Sequence, residues 1–321
     1  MRIQIICPAP RGTLHGNRVT ALRWARILRD LGHRVSIAQY YEGGPCELLI
    51  ALHAQRSADA VFRFCDCYPN QPVVIALTGT DLYRDIHRDR RAQRVLELAT
   101  RLTVFQPLAL KELPVHLRGK ALVIYQSMKK TRKRSVSRQT DFFDVCVVGH
   151  LREVKDPFRT AHASRRLPAS SRIRVLHAGM AMEDGMARRA RSEESRNPRY
   201  RWLEGISRAK ARLLIASSRL LVLSSIMEGG ANVISEAVVD HVPVLASRIP
   251  GSIGLLGTDY PGYFPVGDTE ALAGLLLRVE SDRRFYLQLK SWCSRLALLF
   301  LPSWERARWR KLLSELKPLS Q

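Results

Sequence analysis

Short apolar runs alternate with stretches of helical periodicity along almost the whole chain, and no other feature limits its fold so strongly. Six runs fall within the first 125 residues: "IQIIC", "RVSIA", "ELLIAL", "PVVIAL", "RLTVF" and "ALVIY". Four more follow, "FDVCVVG", "RIRVLHA", "RLLVLSS" and "VPVLAS". Strands without polar alternation are buried on both faces. A parallel strand rejoins its sheet only through a crossover, here roughly ten to twenty residues of helix. The pattern predicts an α/β chain with parallel sheets covered on both sides. At 321 residues the chain is long for one core and suits two domains of about 150 residues each. "KKTRKRSVSRQTD", Lys129–Asp141, separates the two series; Val136 is its one apolar residue, and so cationic a run reads as an exposed linker. The expected boundaries are 1–128 for the first domain, 129–140 for the linker, 141–300 for the second domain and 301–321 for a C-terminal helix.

Helix signals are clearest near the two ends. Val19, Leu22, Ala25, Leu28 and Leu31 recur at helical spacing, and Gly32 is placed to end that helix. "SWERARWRKLLSELKPL" reads as a helix starting after Pro302, with Ser303 as N-cap and Glu305 in its first turn.

A net charge of +23, from 52 Lys and Arg against 29 Asp and Glu, favours anionic partners. Nucleic acid is not expected, because aromatic and basic residues do not interleave as stacking platforms require. No run reaches the ~18 apolar residues of a transmembrane segment, and "MRIQIICPAP" reads as a strand rather than a signal peptide. A cytoplasmic chain, with at most a weak association with anionic surfaces, is expected. The six cysteines lack the spacing of a disulfide framework; Cys7, Cys67 and Cys146, in or beside apolar runs, read as buried thiols. "FCDCYP" has one residue between its thiols and no second pair, so no zinc site is expected.

In open parallel sheets, ligands bind beyond the carboxyl ends of the strands. Four loops at such positions are polar or glycine-rich: "PAPRGTLHGN", "TGTDLYRD", "GHLREVKDP" and "SSIMEGGAN". The first and last run into helices, whose positive, amide-bearing N-terminal ends suit phosphate. There is no Walker lysine motif and no G-x-G-x-x-G after the first strand, which disfavours nucleotide triphosphatases and dinucleotide oxidoreductases. In "MEGGANVISEA" the carboxylates Glu228 and Glu236 bracket two glycines and a helix start, so amides from Ala231 to Ile234 can hold a diphosphate. Helical rise of ~1.5 Å per residue would set the two acids roughly 12 Å apart, too far for a glycosidase pair, which needs roughly 5–9.5 Å. They can grip the two ends of one elongated ligand, or be a helix-start acid and a solvated glutamate; spacing alone does not choose. Asp81 either caps the helix opening "DLYRDIHRD" or touches a ligand. His53, just past "ELLIAL", either faces a ligand or is a satisfied core histidine.

Glu228 and Glu236 match the E-x7-E motif of the retaining family-4 glycosyltransferases of GT-B architecture. "YRWLEGIS…RLLVLSSIMEGGANVISEAVVDHVPVLAS" resembles that family's nucleotide-sugar half, and "VVGHLREVKDP" and "GNRVTALRWARILRDLGHRV" resemble its other two site loops. More narrowly, "GNRVTALRWARILRDLGHRV", "ALHAQRSADAV", "ALTGTDLYRDI" and "VVGHLREVKDP" resemble the selenosugar synthases of selenoneine biosynthesis (SenB type). The resemblance implies two Rossmann-like doubly wound domains facing a cleft. The C-terminal helix would cross back to the first domain, with Trp304 and Trp309 packing there. It also implies transfer from UDP-N-acetylglucosamine (UDP-GlcNAc) or UDP-glucose to selenophosphate, giving a 1-selenosugar, UDP and phosphate. One alternative is an ordinary retaining transfer to a lipid or polysaccharide hydroxyl; another is a regulatory or nucleic-acid-binding protein on a degenerate transferase scaffold.

Carried over position by position, the resemblance gives Glu236 the UDP ribose, Glu228 the donor sugar's hydroxyls and Lys155 the diphosphate. Gly229, Gly230, Ala231, Asn232 and Val233 would line the nucleotide sugar, and Gly16 and Asn17 would face it from the first domain. His150 stands where the family has an arginine, leaving Arg152 as the second cation; Gly230 replaces an aromatic, which implies a roomier sugar subsite. His15 is placed for a catalytic or electrophilic role. Selenophosphate arrives ionised, so a general base is dispensable. An anion pocket is needed instead, with Arg11, Arg18 and Arg84 as candidates and Thr80 and Asp81 at its edge. No D-x-D motif is present, and neither metal nor cofactor is expected.

Overall fold

Two six-stranded sheets, parallel at every pairing, organise the computed structural model, which describes all residues except Leu14, 132–140 and 317–321. One compact unit comprises Met1–Ser127, Glu228–Gly230 and Pro302–Gln321; the other comprises Met128–Met227 and Ala231–Leu301. The architecture is α/β, with two Rossmann-like domains.

The first unit holds β1 (Arg2–Ile6), β2 (Arg34–Ala38), β3 (Leu48–Leu52), β4 (Val73–Ala76), β5 (Arg101–Val104) and β6 (Ala121–Val123), in the order β2-β1-β3-β4-β5-β6. Its unbroken apolar runs follow from burial on both faces. Leu48, Ile50 and Leu52 of β3 enter one core cluster with Trp24 and Leu28, while Leu49 and Ala51 enter the other with Phe64 and Val95. The helix Gly16–Asp30 buries Ala21, Trp24, Ala25 and Leu28. Leu22, expected on that face, is 50 % exposed, because the fully buried Trp24 indole turns the neighbouring stripe to the sheet. Gly32 follows the helix at φ +87°, a left-handed position that costs glycine nothing.

The helix Pro302–Glu315 groups with the first unit. The Trp309 ring lies 4.7 Å from that of Trp24, edge to face, and Leu312 and Leu313 join the same cluster. Glu305, 2 % exposed, receives Trp24 Nε1 at 2.7 Å, Arg23 Nε at 3.1 Å, the Ser127 amide at 2.9 Å and the Ser127 hydroxyl. Ser303 is not the N-cap. Pro302 itself is the first helical residue, where its missing N–H is harmless, so Ser303 lies inside the first turn. Trp304, expected to pack, is exposed.

The second unit holds β7 (Phe143–Val148), β8 (Ile173–Ala178), β9 (Tyr200–Trp202), β10 (Leu220–Leu223), β11 (Val244–Ser247) and β12 (Tyr263–Phe264), in the order β12-β11-β10-β7-β8-β9. The expected linker lies mostly outside the described residues, at 132–140. Its first three residues belong to the second unit: the Thr131 amide donates to Asp240 Oδ1 at 2.7 Å, and Arg212 Nη2 donates to the Lys129 carbonyl at 2.8 Å. Cys7 and Cys146 are buried, but Cys67 ends the Ala58–Cys67 helix exposed, beyond the apolar run that suggested burial. Among the described residues no helix is long and apolar enough to cross a membrane.

Candidate active site

Each sheet reverses its winding once, the place where ligands of open parallel sheets bind. In the second unit the chain runs outward through β7, β8 and β9, then returns on the other side of β7 as β10. Its reversal lies between β7 and β10. In the first unit the reversal lies between β1 and β3, with β4 beside β3. The loops after β1, β7 and β10 flank these points, the loop after β4 is one strand away, and the loop after β3 carries His53.

The loop after β7 is fixed at both ends. His177 of β8 donates from Nε2 to the Gly149 carbonyl at 3.2 Å, which leaves Nδ1 to accept from the Tyr200 hydroxyl at 3.0 Å. At the other end Lys155 closes the short turn Glu153–Lys155, and Asp156 follows in the left-handed region at φ +44°. Ser224 Oγ, just after β10, donates to the Asp156 carbonyl at 2.8 Å, and the Ile226 amide donates to the Val154 carbonyl at 2.9 Å. The β7 and β10 loops are therefore stitched together, with Lys155 half-buried at the seam.

Burial pushes His177 down to about 4 from an ordinary 6.5. The unfolded chain takes up this proton near pH 6.5 and the folded chain does not, so this contribution is complete above that pH and is lost as pH falls towards 4. The loss reaches up to about 3 kcal/mol. The urea midpoint of the second unit is expected to decline between pH 6.5 and 4, and to decline less in His177→Gln; equal pH dependence in the two proteins would contradict this.

The helix Asn232–Val239 has Ala231 at its N-cap, a residue with no polar side chain to cap it. The Ile234 amide, expected to face the diphosphate, donates instead to the Ala231 carbonyl at 3.0 Å; Asn232 and Val233 ahead of it are half-buried and Ala231 is buried. Glu236 lies one turn in, 6 % exposed, with Arg208 Nη2 3.8 Å from its Oε1. Arg152 stands 3.6 Å from Glu183, both partly exposed, a pair worth at most about 1 kcal/mol that leaves the guanidinium available. His150 Nδ1 accepts from the Met180 amide at 3.2 Å.

In the first unit His15 precedes the Gly16–Asp30 helix without capping it, Gly16 is exposed, and Asn17 is half-buried. Arg11 is exposed, and Arg18 lies half-buried beside Cys7. Asp81 departs from expectation. It is fully buried, and its carboxylate receives the Thr78 and Gly79 amides at 2.9 and 2.8 Å and the Ala54 amide at 3.1 Å. It organises the loop backbone, with no oxygen turned to a ligand. Arg84 is partly spent as well, its Nε 2.8 Å from Asp85 Oδ1. Thr80 is half-buried, its Oγ1 2.9 Å from His53 Nε2.

Glu228–Gly230 group with the first unit. There Gln126 Nε2 donates to the Gly230 carbonyl at 3.1 Å. A Cβ on Gly229 would stand 2.3 Å from the Thr78 carbonyl oxygen, and one on Gly230 would stand 2.5 Å from the Phe105 Cβ. The space beside Gly230 is thus occupied by Phe105, not left open as its lost aromatic suggested. Among the described residues no three His, Cys, Asp or Glu side chains gather as a metal site. Arg208 and Glu183 were not found from sequence, because each meets its partner through tertiary contact.

The sequence matches the family of glycosyl transferases group 1 over residues 128–291. Among solved structures, Anabaena Alr3699/HepE in complex with UDP-glucose superposes with a TM-score of 0.79 at 16 % identity, over 98 % of this chain and 100 % of that one. Sucrose-phosphate synthase from Thermosynechococcus elongatus gives 0.78 at 16 % identity, over 98 % of each chain. The pneumococcal O-GlcNAc transferase GtfA, in complex with UDP and GlcNAc, gives 0.65 at 14 % identity, over 92 % of this chain and 59 % of that one. At such identities the likeness is one of fold. The family match spans half of the 321 residues and contains both Lys155 and Glu236, so the chain belongs to the glycosyl transferases group 1.

Proposed function

We propose that the protein transfers a sugar from UDP-GlcNAc or UDP-glucose to selenophosphate, leaving a 1-selenosugar. The observation that carries the donor half is Glu236, buried one turn inside the helix that starts at the reversal of the second sheet. A carboxylate so placed suits ribose hydroxyls, and the amides ahead of it suit the diphosphate. That related folds were crystallised with UDP or UDP-glucose supports the same donor class.

In the reaction the bond from the anomeric carbon to the UDP oxygen breaks while a selenium lone pair forms the carbon–selenium bond. Lys155, Arg152 and the first-turn amides meet the charge growing on the departing diphosphate. Water then cleaves the selenium–phosphorus bond, its hydroxyl going to phosphorus and its proton to selenium. The acceptor half is supported by the four stretches that resemble selenosugar synthases. It is also supported by Asp81, whose carboxylate is consumed by backbone donors and cannot serve as a base. An acceptor that arrives ionised needs none.

Mixing the protein with each UDP-sugar and selenophosphate should yield UDP and a selenium-containing sugar by mass spectrometry. UDP release that requires a lipid or polysaccharide hydroxyl instead would replace the acceptor assignment. Glu236→Ala is expected to weaken UDP binding by at least about 1 kcal/mol in a calorimetric titration, as loss of a charged hydrogen bond does; unchanged affinity would remove its ribose role.

A further inference from the structure

We propose that His53 is a positioning residue whose Nε2–H donates to Thr80 Oγ1 and so commits the threonine's own proton to an oxygen of the anionic acceptor. His53 directly follows β3, which lies between the strands that carry the Arg11–Arg18 and Thr80–Arg84 segments, and is 2 % exposed. Its φ of +73° is rare for any residue but glycine. The neighbours hold it there: its amide donates to the Ala76 carbonyl at 2.9 Å, and its carbonyl accepts the Ser57 amide at 3.1 Å. Backbone strain held by its surroundings in this way is a mark of functional positions.

The ring's protonation follows from its partners. The Arg56 backbone N–H donates to Nδ1 at 3.3 Å, so Nδ1 carries no proton of its own and Nε2 does. Nε2 lies 2.9 Å from Thr80 Oγ1. Burial keeps the ring neutral against the pull of Asp81 and Asp85, and the Arg56 charge acts in the same direction as burial. Arg84 is paired with Asp85 Oδ1. Having accepted from His53, the Thr80 hydroxyl still has one proton to donate. Asp85 Oδ2, 3.8 Å from His53 Nε2, receives no hydrogen bond, so the proton is not spent on it. Thr80 is half-buried and able to meet a ligand, whereas His53 is not.

His53 has this role on the anionic-acceptor reading above, and the test separates the two. His53→Asn keeps a residue that tolerates positive φ but is too short to reach Thr80; Thr80→Val deletes the hydroxyl and Thr80→Ser keeps it. With UDP-sugar saturating, the KM for selenophosphate should rise about tenfold or more in His53→Asn and in Thr80→Val, and stay near wild type in Thr80→Ser. The double variant should be no worse than Thr80→Val, and the KM for UDP-sugar should not move. An unchanged selenophosphate KM in folded His53→Asn, or fully additive losses, overturns the assignment. If the wild type does not consume selenophosphate, the acceptor reading fails. His53 is then judged by inorganic phosphate titration and by ring 15N NMR. A proton on Nε2 with weakened phosphate binding in both variants sustains the role. A proton on Nδ1, or unchanged phosphate affinity, ends it.

Discussion

Glu305→Ala is expected to cost the first unit about 3–5 kcal/mol, the range for removing one partner from a buried charged network. The carboxylate is fully enclosed and meets donors from two other segments: Arg23 and Trp24 of the first helix, and both amide and hydroxyl of Ser127. Truncation strands the Trp24 indole N–H and the Ser127 amide away from water, and each orphan costs about 1–3 kcal/mol. Arg23 keeps a second partner, Gln126 Oε1 at 2.5 Å, which limits the loss. Glu305→Gln should fall between, since an amide presents one accepting oxygen where the carboxylate presents two. Urea unfolding followed by tryptophan fluorescence reads the result directly, because Trp24 and Trp309 touch. A loss below about 1 kcal/mol would mean that Trp309, Leu312 and Leu313 dock the helix by packing alone.

The same residue shows where local pattern stops being informative. Sequence placed Glu305 in the first turn of a helix, where an acid is ordinary. Its burial depends on Trp24 and Ser127, 281 and 178 residues away, and no local pattern reports that. The strands were legible for the opposite reason: "ELLIAL" is apolar on both faces because two core clusters receive alternate residues of β3. β9 and β12 escaped notice because neither forms an apolar run: "YRW" has an arginine at its centre and "YF" is two residues long. Leu22 and Cys67 failed for different reasons: helical spacing identifies a stripe, and only the larger Trp24 decides which flank of it faces inward, whereas Cys67 sits at the helix end, past the apolar run beside it.

Much of the candidate site was legible because topology alone puts it at strand ends. Given alternating strands and helices, the loops after β1, β7 and β10 must lie at carboxyl edges, and two of the three flank the second sheet's reversal. What the loop residues do with their side chains was not legible. Asp81 has the residue type and position of a ligand contact, but Thr78, Gly79 and Ala54 consume it. Thr80, next to it, is half-buried, and its hydroxyl is backed by a histidine from the loop after the neighbouring strand. Arg208 follows the N-cap Ser207 as any helix-start residue could, and only the return of the chain brings it to Glu236.

On the proposed reading, Lys155→Ala is expected to lower kcat by about 10²–10³, with a smaller rise in the KM for UDP-sugar. The asymmetry follows from where charge develops. The ground-state diphosphate is already ionised, and the departing oxygen acquires its further charge only as the anomeric bond breaks, so an ammonium aimed at it acts mainly in the transition state. The turn that presents Lys155 is held by backbone carbonyls, with Ser224 Oγ on that of Asp156 and the Ile226 amide on that of Val154. Removing the side chain therefore deletes a charge without moving the loop, and the thermal unfolding midpoint should change little. Steady-state UDP release at saturating acceptor measures the effect. A fall of less than about fivefold would transfer charge neutralisation to Arg152 and the amides of the Asn232–Val239 helix, and a rise confined to KM would make Lys155 a ground-state anchor for the diphosphate.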